Sequence, residues 1–123
     1  METQILHDMS DELKSFIIQY VNSYISWDIL TYFFDTPGII RADAEEIASS
    51  IGRDVEKIQP ILETMYTKGI LVGAEEHNKK LYSPNTKGSF YSIISRFLQF
   101  TATRQGRLQT IYMITAEKFK REE

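Results

Sequence analysis

Residues 43–88 have the sequence DAEEIASSIGRDVEKIQPILETMYTKGILVGAEEHNKKLYSPNTKG, and this stretch decides the fold. Asp43 and Glu46 stand three residues apart, which is the spacing of a capping box at the start of a helix. Ile47 and Ile51 lie on one narrow apolar face, and glycine at position 52 suits the left-handed conformation that ends many helices. The pattern therefore predicts a short helix over residues 43–51.

A second helix pattern follows after a short turn. Asp54 can cap this helix, and Gly69 can end it. Its apolar side chains recur at helical spacing, at Val55, Ile58, Leu62 and Met65. Pro60 lies inside the pattern and removes one backbone hydrogen bond there, which favours a kink or a separate first turn. The pattern predicts a helix over residues 54–68.

A hairpin pattern completes the stretch. The residues from Ile70 onward begin a strand, His77-Asn78 can turn the chain, and residues 79–82 return as a second strand. We expect strands over residues 70–76 and 79–83. Two short helices joined by a tight turn and followed by a hairpin predict a winged helix-turn-helix.

Three fragments resemble the winged-helix regulators of the MarR/ArsR-like type. Residues 44–48 (AEEIA) look like their positioning helix, and residues 61–71 (ILETMYTKGIL) look like the end of their recognition helix. Residues 81–88 (LYSPNTKG) look like the exit from their wing. The resemblance covers about residues 26–98 and implies DNA binding as a dimer joined through the terminal helices. It also implies a short third strand before the positioning helix, which Ile39-Ile40 can supply.

The flanking sequence predicts additional helices. Ser10 can cap a helix over residues 11–24, and Ser26 can cap another over residues 27–35, unless the first helix continues. Thr86 can cap a last helix over residues 87–118, which Gly106 can bend or split. The fold class is therefore mainly α with a small β-hairpin wing. We expect residues 1–123 to form a single winged-helix domain with a core at about 26–98, a helix within residues 1–25 and another within residues 99–123.

The chain holds fifteen aromatic residues, more than a winged-helix core of about 60 residues can bury. Many of them fall in the terminal helical regions, and the last helix also shows heptad spacing. We therefore expect a homodimer in which six side chains are buried between chains: Phe16, Tyr20, Phe97, Leu108, Ile111 and Tyr112. A small-molecule effector pocket between these helices and the winged domain is an alternative use of the aromatic residues.

Seven residues are candidates for contact with DNA. Arg53, Lys57 and Thr64 belong to the exposed face of the predicted recognition helix, where arginine and lysine suit guanine edges. The others are expected to contact phosphates: Arg41, Lys79, Lys80 and Lys87. A solvated surface of mixed charge is the competing interpretation, because Glu56, Glu63, Glu75 and Glu76 lie on the same elements.

Composition excludes several other classes of function. The chain has no cysteine, and its two histidines, His7 and His77, are far apart in sequence, so we expect neither a metal site nor a cofactor. No catalytic constellation stands out, and we expect no enzyme activity. No secretion signal or membrane-length apolar run is present, which indicates a cytoplasmic protein without a membrane partner.

Charge bears directly on the choice between two functions. The net charge is −3, with six acids and one lysine in residues 1–40 but six bases and three acids in residues 89–123. DNA-binding domains usually carry a basic footprint, although a local basic stripe suffices. We therefore predict a homodimeric DNA-binding transcriptional regulator. The alternative is a winged-helix module that binds another protein and not DNA.

Overall fold

The computed structural model describes residues 9–36, 38 and 41–122, with side chains described through residue 118. This part of the chain forms six helices and one hairpin. The elements are α1 (Asp11–Tyr20), α2 (Tyr24–Phe34), α3 (Ala44–Ile51), α4 (Val55–Lys68), β1 (Leu71–Glu76), β2 (Lys79–Pro84), α5 (Tyr91–Thr101) and α6 (Arg104–Glu122). The mainly helical class with a small antiparallel hairpin is thus confirmed.

The start and end of α3 confirm the expectation from sequence. The Asp43 carboxylate accepts a hydrogen bond from the Glu46 backbone N–H at 2.8 Å, and the Asp43 N–H donates to the Glu46 carboxylate at 3.3 Å. Gly52 adopts φ of 69°, in the left-handed region. This capping box satisfies backbone donors at the helix start that no intrahelical carbonyl can reach.

Helix α4 follows after three residues and contains Pro60 in its interior. Ile58, Leu62 and Met65 are buried, as the spacing predicts. Asp54 occupies the N-cap position but forms no side-chain cap bond, in contrast to the expectation. Gly69 ends the helix at φ of 86°. Only residues 69 and 70 therefore separate α4 from β1.

Strands β1 and β2 pair antiparallel, with Glu76 opposite Lys79 across a two-residue turn. His77 and Asn78 adopt φ of 52° and 64°, the signature of the tight turns that connect twisted strands. The predicted third strand is represented by Ala42, whose backbone exchanges two hydrogen bonds with Tyr82. The predicted strand residues 39–40 lie outside the described residues.

Several helix boundaries differ from the prediction. The first helix ends at Tyr20 rather than residue 24, and Ser23 caps α2 in place of Ser26. The expected helix over residues 87–118 is split, which was one of the outcomes expected from Gly106, and the break lies at residues 102–103. Thr86 does not cap α5, which begins at Tyr91.

The terminal helices contribute to a core within one chain. Helix α1 packs against α5 and α6, and buried residues from Met9 to Ile114 form one apolar cluster. Phe16 and Phe97 are buried in this cluster, with ring centroids 6.0 Å apart. The expectation that these two side chains are buried between chains was wrong, because a single chain already encloses them.

Other members of the expected dimer interface remain at the surface. Leu108, Ile111 and Tyr112 on α6 are exposed by 56%, 39% and 67%. Tyr20 is half-buried and packs edge-on against Phe90, with centroids 5.0 Å apart. None of the described helices is long and apolar enough to cross a lipid bilayer.

Candidate nucleic-acid interface

The outward face of α4 is the surface that a recognition helix would present. Five exposed residues share this face at helical spacing: Glu56, Lys57, Pro60, Thr64 and Thr67. The opposite side of the helix packs against α2 and α3, and its C-terminal part packs against β1. The uncovered face is therefore polar and of mixed charge.

A polar cluster fixes the hairpin to one flank of α4. The Tyr82 hydroxyl donates to the Glu63 carboxylate, and Lys80 Nζ donates to the same carboxylate at 2.9 and 3.1 Å. Lys80 also lies over the Tyr66 ring, 3.7 Å from its centroid, as in a cation–π contact. Gln59 donates to the Tyr82 hydroxyl at 3.4 Å. We call Glu63, Tyr66, Lys80 and Tyr82 the wing clamp.

The wing clamp changes the protonation behaviour of its members. Hydrogen bonds from Tyr82 and then Lys80 hold the pKa of Glu63 below its ordinary value. Burial, and then the neighbouring Glu63 carboxylate, raises the pKa of Tyr82. Both shifts keep Glu63 charged and Tyr82 protonated at neutral pH, so that the donor and acceptor stay matched.

The contacts of the Lys80 and Glu63 side chains therefore differ from those expected from the sequence. Lys80 was expected to contact phosphates, but its half-buried side chain is directed at α4 and neutralised there. Glu63 was expected on the outward face, but it belongs to the flank beneath the wing. Lys80 and Tyr82 are two residues apart on β2 and so share one face of the strand, which is the signal that could have revealed the cluster.

Arg53 is also paired within the chain. Its Nε and Nη2 atoms donate to one Asp28 carboxylate oxygen at 3.1 and 2.9 Å. Asp28 lies on α2, 25 residues earlier in sequence, and sequence reasoning missed it. The ion pair directs the Arg53 guanidinium toward α2, whereas the sequence predicted that this group contacts the bases of DNA.

Two further predicted cations are paired near the hairpin turn. Arg41 forms an ion pair with Glu76, and Lys79 Nζ lies 3.4 Å from the Asp43 carboxylate. The backbone N–H of Glu46, and then Lys79, lower the pKa of Asp43 against an opposing effect of burial. These pairs connect the residues before α3 to the tip of the wing.

The remaining predicted contacts are Lys57, Thr64 and Lys87. The side chains of Lys57 and Lys87 are exposed and form no ion pair within the part of the chain that the structure describes. The Thr64 hydroxyl donates to the Pro60 carbonyl at 3.0 Å, which fixes its rotamer. Lys87 was expected beside a helix N-terminus, but the helix begins four residues later.

An open groove of about 480 Å³ lies beside this surface, between α2, α3 and the wing tip. Its lining is polar and holds three acids and one lysine: Tyr32, Asp43, Glu45, Glu46, Ser49, Ser50 and Lys79. This lining differs from the aromatic effector pocket considered from the sequence. Among the described residues, no cluster of three potential metal ligands occurs.

The sequence was compared with models of protein families and with curated proteins, and no match was found. The interpretation of the surface therefore depends on its own geometry and charge.

Proposed function

We propose that this protein is a homodimeric DNA-binding transcriptional regulator that places α4 in the major groove and the β1–β2 hairpin on the flanking backbone. The observation that carries the proposal is the uncovered polar face of α4. This face belongs to a helix of about 21 Å. A major groove about 12 Å wide admits such a helix.

The polar side chains on this face suit base-edge contacts. Lys57 can donate to guanine O6 and N7, and the hydroxyl and methyl groups of Thr64 can contact several bases. Lys87 and the wing-tip Lys79 can neutralise phosphates, which fix the register of a protein on a duplex. Arg53 and Lys80 hold the scaffold in shape in this proposal, because each is engaged by a carboxylate of the same chain.

The homodimer supplies two copies of α4 to successive turns of the duplex. Two-fold symmetric proteins of this kind read half-sites about 34 Å apart. The exposed apolar side chains of α6, at positions 108, 111 and 112, support this assembly, since they occupy one stretch of a helix surface. A cytoplasmic location is part of the same proposal.

A protein-interaction module without DNA binding is the second candidate. The observation that favours it is the internal pairing of four predicted DNA-contact residues with acids: Arg41, Arg53, Lys79 and Lys80. The acidic groove beside α3 points in the same direction, because it would repel a phosphate backbone. Binding to duplex DNA separates the two candidates.

The test is a titration of labelled duplexes selected from genomic fragments, followed by fluorescence anisotropy at about 50 to 200 mM salt. Lys57→Ala is expected to cost about 1–3 kcal/mol on the selected sequence and little on a scrambled duplex. Lys87→Ala is expected to weaken binding to both sequences and to reduce the salt slope by about one, because one phosphate is no longer neutralised.

Lys14→Ala is the matched control, since it removes one positive charge from α1, a helix that packs against α5 and α6 rather than lining the proposed surface. This variant is expected to bind as the wild type does. If the wild-type protein binds no duplex at low salt after selection, DNA binding is excluded and the interaction module becomes the function to pursue.

A further inference from the structure

Four charged side chains form two neighbouring ion pairs at the wing tip. Arg41 pairs with Glu76 on β1, and Lys79 on β2 pairs with Asp43, with 3.4 Å between Nζ and the carboxylate oxygen. Glu76 and Lys79 stand directly opposite each other across the hairpin. The alternating charges thus join residues 41–43 to residues 76–79, and we call these four residues the wing-tip ring.

The two cations of the wing-tip ring are more exposed than the lysine of the wing clamp. The side chains of Arg41, Glu76 and Lys79 are 49%, 41% and 63% exposed, whereas that of Asp43 is 11% exposed. Lys80 of the wing clamp is 27% exposed and lies against Glu63, Tyr66 and Tyr82. Ion pairs of exposed cations are weak because water screens the charges, so Arg41 and Lys79 are easier for another anion to reach than Lys80 is.

We propose that Glu76 and Asp43 are internal counter-ions that occupy Arg41 and Lys79 until a nucleic-acid phosphate replaces them. The inference rests on the proposed function and adds a regulation of the same surface. Phosphate binding by a lysine or arginine is driven largely by release of the cations that are condensed on the DNA. A carboxylate held on the same chain competes with the phosphate for the lysine or arginine, so it lowers the benefit of each phosphate interaction.

The consequence is a reduced affinity for duplex DNA of any sequence. Arg41 and Lys79 belong to the segments that would meet the backbone, so their pairing lowers the sequence-independent part of binding. The outward face of α4 is unaffected, because Lys57 and Thr64 lie outside the ring. The ring therefore lowers the affinity for specific and non-specific duplexes alike and leaves the sequence preference of α4 unchanged.

Glu76→Gln tests this proposal, with Glu75→Gln as the matched control. Both changes remove one negative charge from adjacent positions of β1, but Glu75 forms no ion pair among the described residues. On mixed-sequence duplex, E76Q is expected to bind about two- to fivefold more tightly than E75Q, the factor that corresponds to the loss of an exposed ion pair. The salt slope of E76Q is also expected to be steeper by about 0.9 for each additional phosphate that it neutralises.

Two further variants make the result specific to the ring. In an Arg41→Ala background, E76Q and E75Q are expected to bind equally, because the cation to be released is absent. Asp43→Asn keeps a side chain that can cap α3, and is expected to increase binding through Lys79 as E76Q does through Arg41.

The outcomes separate this proposal from the proposed function. Equal affinities of E76Q and E75Q, with clear binding by the wild type, would disprove the counter-ion role of Glu76 and leave the proposed DNA binding standing. Absence of duplex binding by the wild type, E75Q and E76Q alike would overturn both. A difference between E76Q and E75Q that persists without Arg41 would also count against the ring.

Discussion

Asp43 shows how much of this surface depends on a single side chain. Its carboxylate caps α3 through the Glu46 N–H and pairs with Lys79 at the wing tip. The preceding residue, Ala42, exchanges two backbone hydrogen bonds with Tyr82. Asp43 thus anchors α3 and the hairpin at the same point, and its charge state matters for both.

The charge of Asp43 predicts a pH dependence of stability. The pKa of Asp43 is lowered in the folded chain from its ordinary value of 3.8, so the folded state favours the carboxylate. Its contribution is complete above that ordinary value and is lost as pH falls through the lower folded pKa. Asp43→Asn keeps the cap without titrating, so its unfolding free energy should fall less than that of the wild type as the pH is lowered from about 5.

Urea unfolding at a series of pH values measures this difference. Asp54→Asn is the matched control, because Asp54 occupies the N-cap position of α4 without a side-chain cap bond. It should follow the wild-type profile. Coincident acid profiles for the wild type and D43N would contradict the prediction.

At the scale of elements, the junction between α5 and α6 depends on Gly106, the residue at which the sequence predicts a bend or a split. Gly106 lies in the first turn of α6, and a Cβ built there would stand 1.8 Å from the Phe100 carbonyl oxygen. The Thr103 hydroxyl accepts from the Gly106 N–H at 3.0 Å and donates to the Phe100 carbonyl at 2.8 Å. The two helices can therefore come this close only because residue 106 has no side chain.

Gly106→Ala is expected to destabilise the protein, although alanine is normally the better helix former. The added methyl group meets a backbone carbonyl that cannot move aside as a flexible side chain can, so we expect a loss of about 1–3 kcal/mol. Gln105→Ala, at the exposed neighbouring position, should change stability by about 0.5 kcal/mol or less. Chemical denaturation measures both, and a G106A variant as stable as Q105A would disprove the close approach.

At the scale of the whole molecule, the exposed apolar side chains of α6 are the strongest indication of assembly. Leu108 and Tyr112 are more than half exposed, and Ile111 lies beside them on the helix. Phe16 and Phe97, by contrast, are buried within the single chain. We therefore expect the dimer surface to be centred on α6.

Tyr112→Glu is expected to convert a dimer into a monomer, because it places a charge within an apolar contact. Tyr91→Glu is the matched control, with a similar exposed tyrosine at the start of α5. Sedimentation at tens of micromolar should give a dimer for the wild type and Y91E but a monomer for Y112E, with all three proteins folded and Y112E lacking the stability that association adds. A monomeric wild type, or a dimeric Y112E, would exclude this interface.

Local rules predicted much of the fold but less of the candidate site. Helix α3 with its capping box, the left-handed Gly52 and Gly69 and the His77-Asn78 turn all depend on neighbours within a few residues. The partner of Arg53 lies 25 residues away, and that of Arg41 lies 35 residues away. A list of exposed cations therefore did not reveal that four of the seven candidates are neutralised within the chain.

The amino-acid sequence by itself determined where the helices and strands of residues 43–84 form, because caps, glycines and apolar spacing act over one or two turns of chain. Only the tertiary structure decided which side chains are enclosed and which charges meet. Phe97 has the spacing of an interface residue, yet the rings of Phe16 on α1 and Trp27 on α2 pack against it. Lys80 has the position of a phosphate contact, yet it forms an ion pair with Glu63. Burial and ion pairing depend on groups that are far apart in the sequence and meet only in the folded chain. The spacing of apolar residues within one helix or strand carries no information about which groups meet.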